Sequence, residues 1–537
     1  MSPEQILARL TDRYALLTRG NRSAPSRQQT LRMCIDWSYD LCTPMEQKVW
    51  AQLSVFAGGF ELDAAEEVCD ADPAADELLD TVTFLVDKSI LTREAVGATV
   101  RFRMLEILRD YGREKAQEAG EYPDLRRRHR EYYERLALEA EADWISSRQL
   151  EWITGLGRGQ PNLREALEFC SSDNPHTGLR ITAALFPFWL SRGLLSEGRH
   201  WFDRLLTHLT GPLTVERAKA FYADSILAGL QGDLQVPTAL VRQGRLLADQ
   251  RTDPISRAHL DLAEGFLALF GGQLPDARAH LDEAVQVYAA RGDLLCQVVA
   301  LLGLELTHDM LGEAERAIDC HERVLAITEP RGEVVYRSYT LWALAVAVWR
   351  HGDRARAIRL LEQSLQLNRG VNGRLNASLC LQALAWIAAE EHNSRLAAVL
   401  MGAAEELAWS VGSPVVVFPG LLEYQQECER QTRRALSDQA YAAAHREGAA
   451  LGFSGAVAYA LGEQLPPTPT SAADPTKRER QVAELVAEGL TNKEIAARLT
   501  ISPRTAQGHV EHLLTKLGFT SRAQIAAWIV ESQNKPS

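Results

Sequence analysis

Along most of the chain apolar residues recur at three- and four-residue intervals, the spacing of one helix face. One stretch of that pattern repeats. The segments QGDLQVPTAL, GGQLPDARAHL, LGEAERAIDCH and HGDRARAIRLL align so that Gly232, Gly272, Gly312 and Gly352 fall 40 residues apart, and EHNSRLAAVLM puts His392 at the next step. Five residues beyond the last four of these turns stand Ala277, Ala317, Ala357 and Ala397. Each polar turn joins an apolar helix to an Ala-rich one, and a small residue at the crossing lets the two approach closely. A lone hairpin of this kind cannot bury its apolar stripe, so neighbouring pairs must stack. The pattern predicts a mainly α chain with a helical-repeat solenoid over residues 121–462, its first helices lying between about Arg126 and Leu206. Trp342, Trp349 and Trp386 share the helical spacing of their Leu and Ala neighbours and read as core, with a ligand-pocket wall as the other reading.

The two ends read differently. Thr43-Pro44-Met45-Glu46 is a helix start: a capping Thr, Pro at the first position, Glu three after the cap. Short helices are expected near Leu62–Cys69 and Asp76–Asp87, then a hairpin around Gly97 in SILTREAVGATVRFRML, then a helix in LEILRDYGREKAQE. Helices plus a hairpin predict a winged-helix-like module over residues 31–120. Glu463–Thr476, with four prolines among small polar residues, is a linker. Beyond it, residues 477–537 hold four helix starts: Thr476-x-x-Glu479, Thr491-x-x-Glu494, Ser502-Pro503 and Ser521-x-x-Gln524. Val482, Leu485, Val486, Ile495, Leu499, Ala506, Val510, Leu513, Leu514, Leu517, Ile525 and Ile529 form one expected small core. The second and third helices, joined by Thr500-Ile501, make a helix-turn-helix.

Charge sharpens this division. The chain of 537 residues carries a net −13, yet Lys477–Ser537 holds nine Lys/Arg against six Glu. An acidic body with a mildly basic end permits nucleic-acid binding at that end. The longest apolar runs, such as Leu341–Trp349, are too short to span a bilayer. The start MSPEQILARLTDRY predicts no signal peptide, and eight scattered cysteines without a C-x-x-C pair read as free thiols in a reducing cytoplasm. No Gly-Lys dipeptide occurs, so no P-loop can be built. GLGRGQPN (155–162) is glycine-rich but follows no strand, and reads as a loop between helices. With no H-E-x-x-H, G-x-S-x-G or Cys/His cluster, we expect no catalysis, cofactor or metal.

With Ala506, Val510, Leu513 and Leu517 turned inward, the opposite stripe of the third helix is Arg504, Gln507, Gly508, Glu511 and Thr515. That stripe fits a major groove, with Thr505, His509, His512, Lys516 and, on the second helix, Lys493 placed to reach phosphates. A plain solvated face is the other reading. The string KRERQVAELVAEGLTNKEIAARLTISPRTAQGHVEHLLTKLGFTSRAQIAAW resembles the LuxR-type helix-turn-helix of bacterial transcription regulators. The resemblance implies a four-helix domain with its third helix in the major groove. It places Gln507, Gly508 and Glu511 at base-reading positions, and Lys493, Thr505, His509 and Lys516 at the DNA backbone. Many relatives have Val where this chain has Ala506, and basic or bulkier residues where it has Gln507, Gly508 and Glu511. A carboxylate at Glu511 is repelled by phosphate unless it accepts from a cytosine amino group.

Upstream, RQQTLRMCIDWSYDLCTPMEQKVWAQLSVFAGGFELDAAEEVC and LVDKSILTREAVGATVRFRMLEILRDYGREKAQEAGE look like the winged helix of large signal-transducing P-loop ATPase regulators. GRGQPNLREALEF resembles the start of their tetratricopeptide-like array, and residues 1–30 resemble the end of their ATPase module. The chain looks like such a regulator without its ATPase core, its winged helix serving packing and regulation. What this implies is a cytoplasmic regulator that binds double-stranded DNA as a homodimer, with a protein or small-molecule effector at the repeats. The alternative is a tetratricopeptide-like scaffold for partner proteins with a weak or vestigial DNA-binding domain.

Overall fold

The computed structural model describes residues 31–69, 75–96, 99–207, 212–248, 253–463, 477–487, 490, 492–499, 509, 510, 513 and 529. The expected ATPase remnant at residues 1–30 lies outside them, as does nearly all of the linker. The chain forms two compact units, Met1–Leu461 and Gly462–Ser537.

The first unit opens with helices α1 (Leu31–Asp40), α2 (Pro44–Leu53), α3 (Leu62–Val68) and α4 (Ala75–Asp87), strands β1 (Leu91–Val96) and β2 (Thr99–Met104), and helix α5 (Glu106–Glu118). This is a winged-helix arrangement. The cap at Thr43 forms in both directions: the Glu46 amide donates to Thr43 Oγ1 at 3.3 Å and the Thr43 amide donates to Glu46 Oε2 at 2.6 Å. The strands pair antiparallel, Leu91 opposite Met104 and Val96 opposite Thr99, and Phe60 adds a bridge to Phe102. Trp50 centres the module, buried against Tyr39 and Tyr111 with its indole N–H on the Leu108 carbonyl at 3.0 Å.

Helices α6 (Tyr122–Ala142), α7 (Gln149–Asp173), α8 (Pro175–Ala184), α9 (Phe186–Arg192) and α10 (Leu195–Leu206) lead into five antiparallel pairs. The pairs are α11 (Val215–Leu230) with α12 (Gln235–Leu247), α13 (Pro254–Phe270) with α14 (Leu274–Arg291), and α15 (Leu294–Met310) with α16 (Ala314–Thr328). They continue with α17 (Val335–Arg350) and α18 (Arg354–Val371), then α19 (Arg374–Glu390) and α20 (Ser394–Ser410). The turn residues expected from the repeat, Gly232, Gly272, Gly312, Gly352 and His392, all adopt left-handed backbone, φ between 58 and 93°. The next amide then reaches back five residues, as Asp233 does to the Ala228 carbonyl and Asn393 to that of Ala388, both at 2.9 Å. This is the Schellman closure of a helix, and it satisfies carbonyls left over at the end of each first helix. Ala277, Ala317, Ala357 and Ala397 are buried at the crossings, and Trp342, Trp349 and Trp386 are buried as core. A second series, after the second helices of the last four pairs, also recurs every 40 residues: Gly292, Gly332, Asn372 and Gly412 are all left-handed.

The glycine-rich stretch at 155–162 is a correction. It is not a loop but the middle of α7, with Pro161 inside the helix. Tertiary contacts override the weak local propensity. The Asn162 side chain accepts from the Ala57 amide at 2.6 Å and donates to the Gly59 carbonyl at 2.9 Å. Arg101 donates to the Arg158 carbonyl at 2.9 Å, and Arg158 itself pairs with Glu61 at 3.0 Å.

Two features follow from the array. First, it closes on itself. The Gln149 side chain donates to Glu333 at 2.8 Å and accepts from the amides of Val334 and Val335 at 3.0 and 3.1 Å. Arg192 reaches the Val371 carbonyl at 3.3 Å, and α9 packs on α19. Second, the pairing stops after α20. Residues 411–421 run as a strap of irregular backbone ending in a short 3₁₀ turn, before α21 (Leu422–Ala435), α22 (Asp438–Ala449) and α23 (Gly452–Ala460). Helix α22 packs on α20 so closely that a Cβ at Gly448 would sit 1.8 Å from the Val399 carbonyl oxygen.

Candidate nucleic-acid interface

In the second unit, α24 (Lys477–Ala487) and α25 (Asn492–Leu499) are the first two of the four expected helices. Residues 509, 510, 513 and 529 are also helical. The core is the expected one wherever it is described: Val482, Leu485, Val486, Ile495, Val510, Leu513 and Ile529 are buried together, with Leu499 packed against them. Ala483 and Ala496 join it. Their helical spacing from Val486 and Leu499 was the available signal. Expected core positions Ala506, Leu514, Leu517 and Ile525 lie outside the described residues.

Arg478 holds the two helices together. Its guanidinium donates to the Leu499 carbonyl at 2.8 Å and to Gln481 at 3.2 Å. A cation on the last carbonyl of α25 satisfies an orphan acceptor and suits the negative end of the helix dipole. Sequence reasoning counted Arg478 only as charge. The Leu490 amide returns to the Leu485 carbonyl at 3.2 Å, the bond that ends a helix by reversal.

Of the ten expected DNA-facing residues, His509 is described. It is half-buried on a helical turn directly before buried Val510. Lys493 lies in the first turn of α25, with its side chain outside the description. Arg504, Thr505, Gln507, Gly508, Glu511, His512, Thr515 and Lys516 lie outside the described residues.

The winged module offers a second helix-turn-helix, α3 and α4, so its solvent face needs the same test. The exposed side of α4 carries Glu77, Asp80 and Asp87, with Leu79 and Phe84 at 42% and 54% exposure. Carboxylates on the presenting helix repel a phosphate backbone rather than releasing its counterions. The wing and the end of α4 carry the opposite sign, with Lys88, Arg93 and Arg103 exposed.

Asp261, Glu264 and His280 also converge, with ligand atoms within 4.8 Å of one another. Arg245 already sits between them, 2.5 Å from both carboxylates. The guanidinium does there what a metal cation would do. All eight cysteines are free, and seven are buried. Among the described residues no helix is long and apolar enough to cross a membrane.

Comparison with known proteins gives both helix-turn-helix modules a family. Residues 476–529 match the bacterial regulatory proteins of the luxR family, and residues 43–117 match a winged helix-turn-helix domain. The chain carries a LuxR-type DNA-binding domain after a winged helix and a helical-repeat body. Proteins named "Putative HTH-type transcriptional regulator" in Mycobacterium bovis and Mycobacterium tuberculosis are 28% identical over 691 aligned positions, covering 98% of this chain and 77% of theirs. That alignment is longer than the 537-residue chain, so these relatives carry residues between the matched segments that this chain lacks. The nitrate/nitrite response regulator protein NarL of Escherichia coli is 46% identical over 54 residues, 10% of this chain and 25% of NarL. A signal transduction ATPase with numerous domains and a tetratricopeptide repeat sensor from Pyrococcus horikoshii superposes with a TM-score of 0.42 and 12% identity, over 83% of this chain and 72% of that one.

Proposed function

We propose that the chain is a cytoplasmic bacterial transcription regulator that reads promoter DNA through the third helix of its C-terminal unit, under control of the helical-repeat body. The luxR-family match carries this reading, because residues 476–529 span every expected contact from Lys493 to Lys516. The buried core supports the choice of face. Val510 and Leu513 both turn inward, and at about 100° per residue their opposite side falls on Arg504, Gly508, Glu511 and Thr515. Arg504, Gln507, Gly508 and Glu511 face the bases, while Lys493, Thr505, His509, His512, Thr515 and Lys516 serve the phosphates and flanks. One such domain covers a half-site, so the chain acts on DNA as a dimer.

The test is a pull-down of sheared genomic DNA by the full chain at two salt concentrations, followed by sequencing. Non-specific binding collapses as salt rises, whereas a specific site stays enriched. Discrete peaks upstream of genes that vanish in an Arg504→Ala, Lys516→Ala double variant support the reading. Absence of enrichment at either salt sinks it in favour of the scaffold.

A further inference from the structure

The winged module leaves an apolar patch on its surface. Trp37 and Leu41, one turn apart on α1, are 55% and 58% exposed, and Met45 on α2 and Phe84 on α4 are exposed as well. One set of bonds brings these helices together. Lys88, one turn beyond Phe84, donates to the Leu41 carbonyl at 3.3 Å and to Glu46 Oε2 at 2.5 Å, which pins the end of α4 to the turn between α1 and α2. Exposed carboxylates rim the patch: Asp40 beside Leu41, Asp80 one turn before Phe84, and Asp87 beside Lys88. The cation in their midst, Lys88, is already bound to Glu46. Grouped apolar side chains on a surface mark a contact site.

The chain carries a segment of matching chemistry next to this patch. Residues 1–30 lie outside the described residues and end where α1 begins. Their sequence marks both ends of a helix. Ser2-Pro3-Glu4-Gln5 is a capping box with proline at the first helical position, and Gly20 supplies the stop. Between them Ile6, Leu7, Leu10, Tyr14 and Leu17 fall within one stripe about 100° wide, with Arg9 and Arg13 along one side of it. Residues 1–30 hold five Arg against Glu4 and Asp12. A helix over residues 3–19 is about 25 Å long. Residues 20–30 reach up to about 35 Å when extended, enough to fold that helix back along α1.

We infer that residues 3–19 form a basic amphipathic helix that docks on this patch of its own module, its apolar stripe on Trp37, Leu41 and Phe84 and its arginines against Asp40 and Asp87. The patch of a second copy is a poor occupant, because two acidic rims would face each other. A separate partner would have to bring the apolar stripe and basic flank that this chain already holds at the edge of the patch. The tether at Leu31 keeps them there at an effective concentration on the order of millimolar. The inference gives the winged module an internal partner and does not depend on DNA binding.

The test is hydroxyl-radical footprinting of the full chain, read residue by residue in a mass spectrometer. Trp409, 63% exposed on α20, is the internal reference. In wild type Trp37 should oxidise severalfold more slowly than Trp409, although the fold of residues 31–463 leaves both open to solvent. A Leu10→Asp, Leu17→Asp variant should bring Trp37 up to the rate of Trp409 and leave Trp409 unchanged. Arg9→Glu with Arg13→Glu should release Trp37 in part, and adding Asp40→Arg and Asp87→Arg should restore its protection. The proposal is overturned if Trp37 oxidises as fast as Trp409 in wild type. It is equally overturned if the Leu10→Asp, Leu17→Asp variant protects Trp37 as wild type does, which would give the patch to another occupant. Protection of wild type that fades on dilution would overturn it in favour of a second copy.

Discussion

The chain carries two helix-turn-helix modules, and they differ in the charge they carry. The C-terminal one is mildly basic in a strongly acidic protein, with nine Lys/Arg against six Glu from Lys477 onward. The winged one turns Glu77, Asp80, Asp87, Leu79 and Phe84 to solvent from its presenting helix. The shared helical frame decides neither role. The residues on the one face that the core does not consume decide it.

The sharpest way to break this contrast is to remove the frame at one end only. Leu513→Ala takes a fully buried side chain from the small core and should cost about 3 kcal/mol. That is most of what a core of some sixty residues supplies. DNA binding should disappear while the main thermal transition of the body stays in place. Persistent binding would mean that DNA is held elsewhere, with the winged module first in line.

The next largest effect gives the body a label of its own. Asp224 is buried, its carboxylate oxygens without hydrogen-bond partners and the nearest guanidinium nitrogen, on Arg199, 4.0 Å away. Burial, reinforced by Asp203, pushes its pKa up to about 7 against the opposing pull of Arg199. Between the unfolded carboxyl value near 4 and that figure, the folded chain keeps a proton that the unfolded chain has released. Stability should therefore fall as pH rises through this window and level off above it, by a few kcal/mol at most. Asp224→Asn should flatten that slope in calorimetric scans from pH 4 to 8. An unchanged slope would show that Asp224 is charged or solvated in the fold.

Smaller still is the loss of one phosphate contact. Lys516→Ala should weaken binding to every DNA sequence alike and lower the slope of log K against log salt by about 0.9. A sequence-dependent loss would move Lys516 from the backbone to the bases. The smallest expected effect is none. Replacing Glu77, Asp80 and Asp87 by their amides should leave promoter affinity unchanged in a gel-shift titration, and a clear gain or loss would bring the winged module into contact with DNA.

Much of this was legible in the sequence, because local chemistry recurs there with a period. A left-handed turn every 40 residues demands glycine or a tolerant substitute, so the first turn series announced the helix pairs. The second series escaped notice because Asn372 stands where glycine would mark the period, and asparagine also tolerates that backbone. The glycines and proline of α7 misled for the converse reason: local propensity pointed to a loop, while Asn162 and Arg158 secured a helix from a distant module. The strap was out of reach altogether. Residues 411–421 have no periodicity of their own, and their partners Leu230, Phe270, Trp342 and Gln382 are dispersed along the sequence. In the C-terminal unit the inward positions that are described followed from spacing alone, and the role of the outward ones rested on the resemblance to the LuxR-type family.

The bond network that joins Gln149 to Glu333, Val334 and Val335 has an evolutionary consequence. An open repeat array can lengthen or shorten by duplication or loss of a unit, since each unit answers only to its neighbours. Here a helix ahead of the series is bonded to the start of its fourth pair. Inserting or deleting one 40-residue pair between them would carry Glu333, Val334 and Val335 away from Gln149. The number of pairs between those two points is thereby fixed by geometry, and that stretch can diverge by substitution within its units far more easily than by changing how many it has.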